Sequence, residues 1–122
     1  MCGKARLLVV DDDSMMRDFS ERVLTSLGFS CVTAADAESA LLLLEADRTI
    51  QVLFTDMGLG KGMDGAQLAQ LALGLRPDLG VILTSGLPDS LPVPGGDLPR
   101  NIQILPKPYR RNDLAARLSA LL

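Results

Sequence analysis

Short apolar runs recur along the chain: Leu7-Leu8-Val9-Val10, Val52-Leu53-Phe54, Val81-Ile82-Leu83 and Ile102-Gln103-Ile104-Leu105. Most are continuous rather than alternating and rich in branched side chains, the pattern of strands covered on both faces in a parallel sheet. Ser30-Cys31-Val32-Thr33-Ala34 is a weaker fifth run and reads as a strand nearer the sheet edge. Between the runs the spacing becomes helical. Met16, Phe19, Val23 and Leu27 share a stripe, with Asp13 or Ser14 placed to cap its start and Gly28 just past its end. The segments 37–46 and 66–75 are rich in Leu and Ala, and 111–122 puts Leu114, Leu118 and Leu121 on one stripe. From Ser85 to Lys107 the residues Gly86, Pro88, Pro92, Pro94, Gly95, Gly96 and Pro99 leave room for no more than a turn near Asp89. The order β-α-β-α-β-α-β-loop-β-α predicts a three-layer α/β domain built on a five-stranded parallel sheet with right-handed crossovers.

Composition narrows what such a domain could do. A length of 122 residues with 48% hydrophobic content suits one domain with one buried core. The chain has no histidine, which excludes the common zinc sites, His-dependent nucleophile pairs and histidine phosphotransfer by the chain itself. A formal net charge of -3 and no dense Lys/Arg run speak against a nucleic-acid groove. Cys2 and Cys31 make no disulfide framework and read as reduced thiols. With no signal peptide and no stretch of about 20 apolar residues, the expectation is a cytoplasmic protein that touches no membrane.

In an open parallel sheet, ligands bind beyond the carboxyl ends of the strands. Asp11, Asp12 and Asp13 follow the first run, Thr55 and Asp56 the third strand, Thr84 and Ser85 the fourth, and Lys107 the last. Taken singly these have ordinary readings: Asp13 and Ser14 as helix caps, Asp56 as the start of a turn, Lys107 as a solvated lysine. Falling together at four strand ends, they describe a site. Clustered carboxylates raise each other's pKa unless a cation lies among them, and an all-oxygen set without imidazole or thiolate selects a hard cation such as Mg²⁺. Carboxylates, a hydroxyl and a lysine around one phosphoryl group suit its transfer onto an aspartate.

The motifs in order are Leu-Val-Val-Asp-Asp-Asp-Ser at 8–14, Phe-Thr-Asp-Met at 54–57, Met-Asp-Gly at 63–65, Ile-Leu-Thr-Ser-Gly at 82–86 and Leu-Pro-Lys-Pro-Tyr at 105–109. Together they resemble the response-regulator receiver domain of two-component signalling, over the chain from about residue 6 to its end. The resemblance implies a flavodoxin-like (βα)5 doubly wound fold filling 1–122 as a single receiver domain. It makes Asp56 the phospho-acceptor, Asp11 and Asp12 the acidic pair holding Mg²⁺ with Asp56, and the Gly58 backbone carbonyl a further ligand. Ser85, which precedes Gly86, rather than Thr84 would bond the phosphoryl oxygen. Lys107 would bridge to it, with a cis Lys107-Pro108 bond. The implied partner is a sensor or hybrid histidine kinase, or a histidine phosphotransfer protein, with the chain itself a monomer or weak dimer and no metabolic enzyme.

Four departures from chemotaxis-type receivers stand out. Gly65 lies nine positions after Asp56, Gly60 replaces the usual proline, Ile104 replaces the switch aromatic, and the fourth helix is shortened or replaced by the Pro/Gly-rich loop. These features resemble receivers associated with hybrid histidine kinases. With no aromatic to rotate, output is expected from reordering of the loop 86–100. Gly58 leaves an acyl phosphate unshielded from water, whereas Leu87 offers no group to orient an attacking one, so their effects on its lifetime oppose. Two other functions compete. Leu-Leu-Val-Val-Asp-Asp-Asp-Ser also fits a haloacid-dehalogenase-type phosphatase with Asp11 as nucleophile and Asp13 as acid/base, although only Asp113 supplies an acid after Lys107. A phosphorylation-independent interaction module of the same fold is the other.

Overall fold

The computed structural model describes residues 5–58, 64–85, 102–106 and 109–121. The elements run β1 (Arg6–Val10), α1 (Ser14–Ser26), β2 (Ser30–Ala34), α2 (Ala37–Ala46), β3 (Ile50–Asp56), α3 (Gly65–Leu75), β4 (Gly80–Ser85), β5 (Ile102–Pro106) and α4 (Arg111–Leu121). Helix starts follow side-chain chemistry. Asp13 accepts from the Met15 N–H at α1, Asp36 accepts from the Ser39 N–H at α2, and Asp64 and Gln67 form a reciprocal capping box at α3. That box starts α3 one residue earlier than composition alone suggests. After α1 the chain turns through Gly28 at φ 98°, a conformation open to glycine.

All strand pairs are parallel, in the order β2-β1-β3-β4-β5. The chain therefore winds outward in both directions from β1, as the doubly wound expectation requires. Alternate residues of each strand enter two separate cores. Leu8, Val10, Leu53, Val81 and Leu83 pack with Ala40 and Leu44 of α2 and Leu68 and Ala72 of α3. Leu7, Val9, Val52, Phe54 and Ile82 pack with Leu24 of α1 and Leu114 and Leu118 of α4. This two-sided burial explains the continuous apolar runs, and β2 lies at the edge, where Cys31 and Val32 are half-buried.

The face of α1 differs from the expected stripe. Ser20 and Leu24 are its buried residues, while Phe19 is 47% exposed and leans its ring on Tyr109, centroids 6.2 Å apart. Tyr109 itself packs between Phe19 and the sheet, its ring 5.9 Å from that of Phe54. No described helix is long and apolar enough to cross a membrane. The expected loss of helix and the output loop at 86–100, the glycine-rich stretch 59–63, and Lys107 with its Pro108 bond lie outside the described residues.

Candidate functional site

The site forms where β1 and β3, neighbours at the centre of the sheet, end side by side. Val10 pairs with Thr55, so the residues that follow, Asp11 and Asp56, emerge at the same height. Carboxylate oxygens of Asp11, Asp12 and Asp56 lie within 4.8 Å of one another. Asp11 is buried, Asp56 half-buried and Asp12 exposed, so the cluster opens outward from a protected floor. Three oxygen donors with no imidazole or thiolate in the group fit a hard divalent cation, which takes one or two carboxylates and keeps waters for a phosphate.

Local bonds fix the backbone around Asp11 and Asp56. The Asp11 N–H joins the Ala34 carbonyl at 3.2 Å, carrying the sheet ladder one residue past β1. Asp11 Oδ1 then accepts the Asp13 N–H at 3.0 Å, and Arg17 Nη1 donates to the Asp11 carbonyl at 2.7 Å. On the other side, the Met57 N–H donates to the Thr84 carbonyl at 2.9 Å and the Gly65 N–H to the Met57 carbonyl at 2.8 Å. Gly65 is required there: a Cβ would overlap the Asp56 carbonyl oxygen and stand 2.9 Å from Met57 Cα. The Met-Asp-Gly motif thus seats α3 directly on the Asp56 backbone.

Thr84 is the register partner of Asp56, and its hydroxyl faces Asp56 Oδ1 at 3.5 Å, a long orienting contact. Two adjacent hydroxyls end β4, and strand pairing alone says which shares a face with Asp56. Ser85 closes β4, but its side chain lies outside what is described, as does Lys107. Gly58 is placed and exposed, two residues beyond Asp56.

Beneath the carboxylates a small pocket is lined by Asp11, Ser20, Phe54, Asp56, Thr84 and Tyr109, among others. The Tyr109 ring meets Phe54 edge-on at 5.9 Å, and its hydroxyl hydrogen-bonds Ser20 Oγ at 2.9 Å. Burial raises the Tyr109 phenol pKa above its ordinary value; the Ser20 bond lowers it, and the negative Asp11 and Asp56 add to the rise. Sequence reasoning foresaw neither this pair nor Arg17. Ser20 and Tyr109 are 89 positions apart, and no local pattern announces such a contact.

Comparison with known proteins converges on the same reading. The family model for the response regulator receiver domain matches residues 7–119. Over 117 residues the chain is 30% identical to the response regulator receiver protein CpdR of Brucella abortus, covering 96% of each. It is 35% identical over 118 residues to the response regulator MprA of Mycobacterium tuberculosis, covering 96% of this chain and 50% of that protein, so it spans about half of that relative's length. A receiver protein from Sinorhizobium medicae superposes with TM-score 0.85 at 25% identity, covering 97% of this chain and 94% of that one. The receiver domain of the hybrid histidine kinase CckA superposes with TM-score 0.77 at 30% identity, covering 97% and 99%.

Proposed function

The chain belongs to the response-regulator receiver family, and on that premise we propose that it is one receiver unit that accepts a phosphoryl group onto Asp56 from a phosphohistidine on a partner protein. The observation that carries this reading is the gathering of Asp11, Asp12 and Asp56 oxygens within 4.8 Å at two adjacent strand ends. A carboxylate oxygen of Asp56 attacks phosphorus as the P–N bond breaks. The departing imidazole nitrogen keeps the electron pair and takes up a proton from solvent. Hydrolysis of the acyl phosphate later returns the free carboxylate and releases phosphate.

Asp11, Asp12, Asp56 and the Gly58 carbonyl are the groups proposed to hold Mg²⁺. Bound there, Mg²⁺ supplies neutralisation of the charge on the transferring phosphoryl oxygens. Lys107 is assigned to the same charge and Ser85 to a phosphoryl oxygen, while Thr84 orients the acceptor beforehand. The donor is a sensor or hybrid histidine kinase, or a histidine phosphotransfer protein, consistent with a chain that contains no histidine of its own. Receiver domains are in general signalling modules rather than metabolic enzymes, and a phospho-switch or phosphate sink is the role proposed.

Incubation with Mg²⁺ and acetyl phosphate followed by intact-mass measurement tests this. A phosphoryl gain that Asp56→Asn lacks supports it. No gain in the wild type would leave a phosphorylation-independent module, and an adduct mapped to Asp11 would indicate the dehalogenase-type phosphatase instead.

A further inference from the structure

Arg17 sits in the first turn of α1, half-buried, with its Nη1 on the Asp11 backbone carbonyl at 2.7 Å. Around it the β1–α1 turn closes on itself. Asp11 Oδ1 accepts the Asp13 N–H at 3.0 Å, Asp13 Oδ1 accepts the Met15 N–H at 3.0 Å, and the Arg17 N–H donates to the Asp13 carbonyl at 2.9 Å. Arg17 therefore ties the residue just after β1 to the helix that follows, bracketing Asp12 between two fastened neighbours.

A guanidinium beside a carboxylate cluster could act in two ways with opposite signs. As a counter-charge it would compete with a divalent cation, and its removal would tighten cation binding. As a clamp it would hold the ligands in place, and its removal would loosen binding. The bond runs to a backbone carbonyl, with charge-assisted length. We propose that Arg17 is a positioning residue that clamps the β1–α1 turn so that Asp11 and Asp12 are already arranged for Mg²⁺. This rests on the reading of the three carboxylates as the Mg²⁺ site.

The chain has one tyrosine and no tryptophan, and Tyr109 lines the same pocket as Asp11 and Asp56, so its emission reports on the site. Mg²⁺ is titrated into the wild type, Arg17→Lys, Arg17→Ala and Asp11→Asn, following Tyr109 emission and, independently, the Mg²⁺-induced shift in urea midpoint. Arg17→Ala is expected to weaken Mg²⁺ binding by roughly tenfold, the scale of one hydrogen bond to a charged group, with Arg17→Lys recovering most of it. Unchanged or tighter binding in Arg17→Ala would overturn the clamp, as would equal losses in both variants. If the alanine variant does not fold in the absence of Mg²⁺, the lysine variant alone decides: near-wild-type affinity supports the clamp and a tenfold loss overturns it. A wild type with no saturable response that Asp11→Asn abolishes would instead remove the Mg²⁺ reading, and this inference with it.

Discussion

The two ends of the same sheet handle charge in opposite ways. At the amino edge, Arg6 Nε meets Asp47 Oδ2 at 3.1 Å, and Arg76 Nη2 donates to the Ile50 carbonyl at 2.6 Å and the Arg48 carbonyl at 3.3 Å. These contacts tie the start of β1 to the end of α2 and the start of β3 to the end of α3, although among the described residues Arg6 Nε and Arg76 Nη1 are buried without a hydrogen-bond partner. At the carboxyl edge, three like charges are brought within 4.8 Å. Like charges held together in a partly buried setting work against stability unless a cation joins them. The amino edge pairs opposite charges, whereas the carboxyl edge gathers like ones.

The sharpest way to break this division is at the joint between Asp56 and α3. Gly65→Ala forces the Asp56 carbonyl or the start of α3 to move, because the atoms a Cβ would meet are backbone rather than flexible side chain. The expected loss is about 3 kcal/mol, the upper range for overpacking, measurable as a fall in urea midpoint. Phosphoryl gain from acetyl phosphate should fall with it. A stable variant that is phosphorylated normally would show that α3 is not seated on Asp56 as described.

Next in size is the response to the cation itself. Mg²⁺ at about a hundred times its dissociation constant should stabilise the wild type by roughly 2.7 kcal/mol through linkage. Asp11→Asn should abolish that shift, and Asp47→Asn, at the other edge, should leave it intact. Equal Mg²⁺ responses in the two variants would erase the distinction between the edges.

How far the sequence foretold this arrangement can be judged from the same residues. The strands themselves, the acidic ends of β1 and β3 and the cap at Asp13 follow from local chemistry, since apolar runs, capping residues and turn signals act over a few positions, whereas the caps at Asp36 and Asp64 emerge only in the structure. β3 extends beyond Val52–Phe54 to Ile50 and Asp56 because Arg6 of β1 pairs with Ile50 and Thr84 of β4 pairs with Asp56. On sequence alone Thr84 stands behind Ser85, because only register shows that it faces Asp56, and Arg17 escapes notice because its role depends on a side chain folding back onto a carbonyl. The stripe through Phe19 misled because helical spacing identifies a face but not what already occupies the space opposite it.

That occupant provides a smaller test. Tyr109 and Ser20 hydrogen-bond beneath the carboxylates, and removing either hydroxyl leaves the other without its partner. Tyr109→Phe and Ser20→Ala should each cost about 1–2 kcal/mol, and the double variant less than their sum. The phenol's raised pKa adds a sign. A group whose folded pKa is raised contributes stability below its unfolded value, about 10 for tyrosine, and that stability is lost as pH rises through the folded value. The wild type should therefore weaken above that pH more than Tyr109→Phe does.

The smallest effect belongs to the amino edge, and its pH dependence runs the other way. Hydrogen bonds from Thr49 hold the Asp47 carboxyl below the usual range, with Arg6 and Arg76 contributing further. A depressed carboxylate pKa means stability present above the unfolded value of about 3.9 and lost as pH falls through the folded one. The gap in urea midpoint between wild type and Asp47→Asn should stay level at neutral pH and close progressively below about pH 4. A gap that persists undiminished into acid would mean that Asp47 acts through shape rather than charge, and the amino edge would then owe its stability to packing and backbone bonds alone.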